Sequence, residues 1–546
     1  MTTSPLLENA RAWLAEDPDP ATRAELSALL ESAEAGDAEA VADLEDRFSG
    51  TLEFGTAGLR GALGAGPNRM NRVVVLRAAA GLAAYLREQG ATGPVVIGYD
   101  ARHNSDVFAR DTAEVMTGAG IPALTLPRAM PTPVLASAIL KLGASAGVMV
   151  TASHNPPQDN GYKVYLGDGC QIVPPADGEI AAHITAVGAL ADVPRGDRGE
   201  LIDPQVWLDY IAQTGQVPPE GGPRSLDIVY TPMHGVGLET MRAVFVRAGF
   251  LSVDVVPEQA EPDPDFPTVA FPNPEEPGAM DLAFALAREK GADVVIANDP
   301  DADRCAVGVP DAEGWRMLRG DEVGALLGHD LLSRGVSGTY ANSIVSSSLL
   351  GTMAREAGQP FVETLTGFKW IGRLPGLAFG YEEALGYCVD PVHVKDKDGI
   401  SAAVLIADLA ARLKALGSSL SEQLDEIARD YGLHATDQLS VRVSDLSLIS
   451  DAMSRLRATP PTTLAGRAVT TATDLAVGTD ELPATDGLRY DLDAARVIVR
   501  PSGTEPKLKC YLEVKVPVTG SIAEARASAA QQLAELKADM EAALGL

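Results

Sequence analysis

"GVMVTASHNP", from Gly147 to Pro156, decides the fold. A short apolar run bounded by turn-forming residues predicts a buried strand rather than a helix, because it is too brief for three helical turns. The strand ends in a polar loop. The same plan recurs in "VVIGYD" (Val95 to Asp100), "DIVYTPMHGVG" (Asp227 to Gly237) and "ADVVIANDPDADR" (Ala292 to Arg304). It appears twice more, in "LAFGYEEALGY" (Leu377 to Tyr387) and "RVIVRPSGTEPKLKCYLEV" (Arg496 to Val514). Helical patterns such as "AMDLAFALAREKGA" lie between these runs. Strands alternating with helices predict α/β domains. In such domains ligands bind beyond the carboxyl ends of the strands, and that is where the polar residues collect here.

The bulk properties agree. A chain of 546 residues predicts roughly three to four domains. Aromatic residues make up 5% and hydrophobic residues 46%, so the cores consist mainly of Ala, Val, Leu and Ile, as buried parallel sheets require. With 44 basic and 75 acidic residues the net charge is −31, which repels nucleic acid and anionic membranes. An anionic substrate therefore needs a local cluster of Arg and Lys. Cys170, Cys305, Cys388 and Cys510 are scattered and form no C-x-x-C pair; this argues against a disulfide framework or zinc site and for a reducing cytoplasm. Acidic Glu8 and Glu16 exclude a signal peptide, and Arg77 and Arg87 interrupt the longest apolar stretch, so a soluble protein is expected.

Leu6, Leu7, Ala10, Trp13 and Leu14 predict one N-terminal helix, and a second acidic helical stretch runs to about Phe48. "FGTAGLRGALGAGPNRMN" (Phe54 to Asn71) is too rich in glycine for a regular element. "ALADVPRGDRGE" (Ala189 to Glu200) reads as a linker, and the proline-rich stretch from Pro257 to Gly278 as a long excursion inside a domain.

Asp299, Asp301 and Asp303 alternate in "DPDADR" after a strand, and three such carboxylates can converge on one hard cation such as Mg²⁺. An EF-hand is excluded: its glycine position holds Arg304 and its final glutamate position holds Pro310. The other reading is an acidic turn in an acidic protein. In "RPSGTEPKLK", Arg500, Ser502, Thr504 and Lys507 surround Gly503, a set that suits a phosphate cradle more than a solvated hairpin. Glu382 and Glu383 can accept from sugar hydroxyls or cap a helix. Lys163, Lys395 and Lys397 read by default as surface lysines. Ser153 lacks the G-x-S-x-G context of a hydrolase nucleophile, and His154 is an immediate neighbour, a spacing that rarely yields a serine–base hydrogen bond. Nucleophile, cap and turn residue all remain open for Ser153 on these grounds.

Taken in order, "FGTAGLRG", "TASHNP", "DPDADR", "GYEEALGY" and "RPSGTEPKLK" resemble the loops of the α-D-phosphohexomutase superfamily, over nearly the whole chain. The resemblance implies a four-domain, heart-shaped α/β architecture, with three similar α/β domains and a smaller C-terminal α+β domain around a central cleft. The expected boundaries are 1–200 (phosphoserine loop), 201–318 (metal loop), 319–438 (sugar loop) and 439–546 (phosphate loop). It implies that Ser153 carries the transferred phosphoryl group and passes through a sugar 1,6-bisphosphate, which also serves as activator. Mg²⁺ is then held by Ser153, Asp299, Asp301 and Asp303, while Arg60, His154, Lys163 and Arg304 surround the transferred group. His154 and Lys163 are the candidates for proton traffic. Thr366, Lys369, Glu382, Glu383 and Lys397 read the sugar, and Arg500, Ser502, Gly503, Thr504 and Lys507 hold the non-reacting phosphate.

The sequence departs from the hexose-specific pattern at Ala384, where many phosphoglucomutases carry a serine. The branch containing phosphopentomutases fits "GYEEALGY" better. The expected activity is interconversion of glucose 1-phosphate and glucose 6-phosphate, with phosphopentomutase or phosphomannomutase as alternatives. A Mg²⁺-dependent sugar phosphatase and a non-catalytic sugar-phosphate binder are the readings from other classes. The expected partner is a sugar phosphate, with no nucleic acid and no membrane, on a monomer or dimer.

Overall fold

The computed structural model describes residues 3–55, 58–312, 314–443, 447–478, 482–501 and 507–545. The chain forms two compact units: Met1–Met317 with Gly386–Arg412, and Leu318–Leu385 with Leu413–Leu546.

The first unit holds two mixed sheets. In one, the strand order is 59–62, 159–166, 146–150, 95–99, 123–125, 200–201. Ala146–Val150 is buried along its whole length, between a parallel neighbour, Val95–Tyr99, and an antiparallel one, Asp159–Leu166. Val148 and Val150 are fully buried, each contributing about 1.5–3 kcal/mol of apolar burial. Helix Arg72–Glu88 packs on this core; it starts where the Asn71 side chain accepts from the Val74 N–H at 3.0 Å. In the second sheet Ile228–Thr231 runs parallel to Val253–Val255 and Val294–Ala297, and Ala306–Asp311 returns antiparallel.

Parallel registry brings loops together. Tyr99 pairs with Val150, so the loop after Asp100 and the loop holding Ser153 leave the same sheet edge. Thr231 pairs with Ala297, which sets residues 232–236 beside the aspartate loop.

Two local expectations change. The acidic N-terminal stretch is two helices, Pro20–Glu34 and Ala38–Phe48, because Gly36 takes φ +91° and Asp37 caps the second. The glycine-rich stretch contains a strand, Leu59–Ala62, paired antiparallel with residues 159–162. Its glycines permit close strand approach: Gly58 has φ +86°, and a Cβ there would lie 1.9 Å from the Tyr162 carbonyl oxygen.

In the second unit Thr339–Ser343 lies parallel to Phe361–Thr364 and Leu377–Glu382. An antiparallel sheet follows, in the order 433–442, 507–516, 495–501, 488–492, 467–474, 463–464. Helices Ser447–Ala458 and Ile522–Leu544 supply apolar side chains to its core. No helix among the described residues is long and apolar enough to cross a membrane.

Candidate active site

Ser153 and the aspartate loop meet in the first unit. Ser153 has φ +51° and is 2% exposed, and its hydroxyl donates to Asp299 Oδ2 at 2.9 Å. His154 Nδ1 lies 3.2 Å from Ser153 Oγ. The expectation that adjacent residues would not pair is thereby corrected, and the left-handed backbone at Ser153 is what turns the two side chains together.

Asp299, Asp301 and Asp303 are fully buried, and one oxygen from each lies within 4.8 Å of the others. Ala302, at φ +55°, turns the loop so that alternate carboxylates converge, and Arg304 N donates to Asp299 Oδ1 at 3.0 Å. Burial, then the charges of Asp301 and Asp303, push the Asp299 carboxyl well above the usual range. Burial acts the same way on Asp303, but the Lys163, Lys397 and Arg304 cations outweigh it and hold that carboxyl below the usual range. Asp301 Oδ1 and Asp303 Oδ1 are buried and accept no hydrogen bond among the described residues. Hard oxygen donors converging in this way fit a divalent cation such as Mg²⁺.

Lys163 and Lys397 are not surface residues. Lys163 is 4% exposed and donates to Asp301 Oδ2 at 2.7 Å and Asp303 Oδ2 at 3.0 Å. Lys397 is 8% exposed and lies 3.1 Å from Asp303 Oδ2. The default surface reading fails because Asp301 and Asp303, the carboxylates that meet these lysines in the aspartate loop, lie more than ninety residues away in the chain. Burial lowers the Lys163 pKa, but Asp301 and Asp303 more than offset it, so it stays an ammonium. Arg60 bonds Asn155 Oδ1 at 3.1 Å, and its pKa is lowered by burial and by the nearby Arg304 guanidinium. His154 is pushed well below its usual value by burial, Arg304 and Arg60, which leaves a neutral imidazole at neutral pH.

The structure thus assembles Ser153, His154, Lys163, Arg60, Arg304, Lys397 and the aspartates. The remaining predicted residues lie in the second unit. Glu382 Oε1 accepts from the Gly367 N–H at 2.7 Å, next to Thr366 and the buried Lys369. Glu383 Oε2 accepts from the Ser343 and Ser346 hydroxyls at 3.1 and 3.2 Å. Arg500 sits opposite Lys509 across a hairpin whose second strand opens at Lys507. Ser502, Gly503 and Thr504 lie outside the described residues.

Sequence reasoning missed Arg102 and Thr132. Arg102 follows the strand Val95–Tyr99, so the rule that ligands gather beyond strand ends points to it. Thr132 donates to Asp301 Oδ2 at 2.6 Å across 169 residues, a contact with no local signal.

Residues 51–190, 205–314, 319–431 and 441–519 match, in order, the alpha/beta/alpha domains I, II and III and the C-terminal domain of phosphoglucomutase/phosphomannomutase. A Haemophilus influenzae protein named "Probable phosphomannomutase" is 51% identical, over 82% of this chain and 93% of its own. A Schizosaccharomyces pombe protein named "Probable phosphoribomutase" is 38% identical over 93% of each chain. The crystal structure of a phosphoglucomutase/phosphomannomutase family protein from Burkholderia thailandensis shares the fold, with TM-score 0.68 at 20% identity, over 90% of this chain and 97% of its own. Three α/β domains and a C-terminal domain, matched end to end, place the chain in the phosphoglucomutase/phosphomannomutase family of the α-D-phosphohexomutase superfamily: it is a phosphosugar mutase, an isomerase that moves phosphate within a sugar.

Proposed function

We propose that Ser153 carries the phosphoryl group and that the preferred substrate is glucose 1-phosphate, converted to glucose 6-phosphate through glucose 1,6-bisphosphate. The observation that carries this reading is the Ser153 hydroxyl 2.9 Å from Asp299 Oδ2, inside a cluster of buried cations in a chain of net charge −31. Phosphoryl transfer demands positioning and charge neutralisation more than covalent chemistry. Ser153, Asp299, Asp301 and Asp303 would hold Mg²⁺, which when bound offsets negative charge on the phosphoryl group.

In the first half-reaction the substrate's free hydroxyl attacks phosphorus, the P–Oγ bond of Ser153 breaks, the hydroxyl proton leaves to a base, and the departing Ser153 oxygen takes up a proton to become the hydroxyl again. The second half-reaction reverses this from the other end of the sugar. His154 and Lys163, close to Ser153 and the aspartates respectively, are the groups placed to pass protons. Arg60 and Arg304 neutralise the transferred group. We assign Thr366, Lys369, Glu382, Glu383 and Lys397 to the sugar hydroxyls, and Arg500, Ser502, Gly503, Thr504 and Lys507 to the second phosphate. Four buried cysteines, none in a disulfide, suit a cytoplasmic enzyme.

A hexose accords with the name of the 51% identical relative. Ribose 1-phosphate is the second reading: Ala384 offers no side-chain hydroxyl after Glu382 and Glu383, and a 38% identical relative carries a phosphoribomutase name. The test compares kcat/KM for glucose, mannose and ribose 1-phosphates, with Mg²⁺ and the matching bisphosphate. Preference for glucose 1-phosphate supports the proposal, preference for ribose 1-phosphate replaces it with the second reading, and release of inorganic phosphate without isomer overturns both.

A further inference from the structure

Beneath the Ser153 loop lies a guanidinium that touches none of the groups assigned to substrate. Arg102 has a side chain 1% exposed, beside an equally buried Asp100 at 3.4 Å. Its Nη1 donates to the carbonyls of Pro156 at 2.8 Å and Asp159 at 3.2 Å. Its Nη2 donates to the carbonyls of Ser153 at 2.7 Å and Asn155. One planar fork thus fixes four backbone carbonyls of a single loop, which no lysine can reproduce because its donors radiate from one point.

The loop needs such a hold. Ser153 at φ +51° occupies a backbone region that side-chain-bearing residues seldom visit, and such conformations persist only where surroundings over-determine them. Within the loop, Ser153 N donates to Thr151 Oγ1 and Asn155 N to the Ala152 carbonyl. Asp159 N also donates to the Pro156 carbonyl, and the hold on the Ser153 and Asn155 carbonyls falls to Arg102.

The guanidinium is covered in turn from another domain. The Phe266 ring lies 4.8 Å from Arg102 Cζ, within the proline-rich excursion of residues 257–278. Phe266 is 3% exposed and itself at φ +44°, and the neighbouring Asp265 meets His103 at 2.8 Å. Stacking of a guanidinium on an aromatic face strengthens when water is excluded.

We propose that Arg102 is a positioning residue for the phosphotransfer serine, and that the excursion from Pro257 to Gly278 serves to seat Phe266 on it. This rests on the proposed role of Ser153. Arg102 fixes where the serine oxygen points, and Phe266 keeps Arg102 planar against the four carbonyls.

Arg102→Lys keeps the positive charge beside Asp100 while breaking the fork. Phe266→Leu keeps the fork and an apolar cover while removing the ring, and it carries the same test if the lysine variant does not fold. In folded Arg102→Lys enzyme, kcat falls about 10²-fold, the loss expected from misplacing a reacting group by about 1 Å, while KM stays near its native value. Amide hydrogen exchange over residues 151–160 accelerates, with the strand Ile228–Thr231 unchanged. Phe266→Leu moves both readouts in the same direction by less. Native exchange rates in the loop overturn the proposal, and so does faster exchange with native kcat. A native enzyme that forms no isomer overturns the mutase role of Ser153 instead, whereas the grip of Arg102 on the loop is still read from the exchange rates.

Discussion

Asp398 offers the sharpest test of how burial shapes this protein. Its carboxyl is 2% exposed, and burial raises its pKa from 3.8 to about 6, against hydrogen bonds that work the other way. Tyr210 OH, Ile400 N and Ser401 N donate to Oδ1 at 2.9, 3.0 and 3.0 Å. Asparagine keeps that acceptor and removes the charge. Below pH 3.8 both folded and unfolded chains hold the proton; between 3.8 and about 6 only the folded chain does, so stability falls as pH rises through this window. Ionising the buried group costs about 1.6 kcal/mol at pH 5 and about 3 kcal/mol at pH 7 and above, at 1.36 kcal/mol per unit. Asp398→Asn should therefore gain about 1.3 kcal/mol on native protein between pH 5 and pH 7, with no further gain beyond. Urea unfolding of both proteins at pH 5, 6, 7 and 8, followed by circular dichroism, reads the difference. A constant offset between native and variant across those pH values refutes the reasoning, whatever its sign, because only the slope reports the shifted carboxyl.

Ser153→Ala should abolish isomerisation and phosphate uptake from the sugar bisphosphate, seen by intact mass, while circular dichroism stays native; near-native turnover refutes the phosphoserine role. Thr132→Val removes the hydroxyl donated to Asp301 Oδ2 at 2.6 Å without changing shape. Its metal affinity should fall about 10-fold or more, as losses of such supporting bonds do, and an unchanged Mn²⁺ titration by calorimetry counts against the site. Gly235→Ala places a Cβ 2.3 Å from Pro300 Cα, which must push the aspartate loop out of place; weaker Mn²⁺ binding at near-native secondary structure is the expected result, and unchanged binding refutes it.

The strands were legible because each apolar run is short and ends in turn chemistry. The run "VVIA" (Val294 to Ala297) is buried at every position, and the aspartates follow directly after it. Lys163 and Lys397 were misread because their burial depends on carboxylates brought in by other strands, and a lysine's own neighbours in sequence say nothing of that. Leu59–Ala62 was missed because glycine is a poor strand former in isolation, yet here Gly58 and Gly161 let neighbouring backbones pass closely. Arg102 bonds carbonyls more than fifty residues away, so only the strand-end rule marked its loop.

The cysteines supply a built-in clock. Cys170, Cys305 and Cys388 belong to the first unit and Cys510 to the second, and all four are buried thiols outside any disulfide. Burial pushes the Cys510 thiol up to about 12 and holds Cys305 and Cys388 above the normal thiol range. Closed, such thiols present almost no thiolate to an alkylating reagent; opened, they react at once. The peptide that carries each label therefore names the unit that opened, so the native chain reports its own breathing without a dye or a mutation.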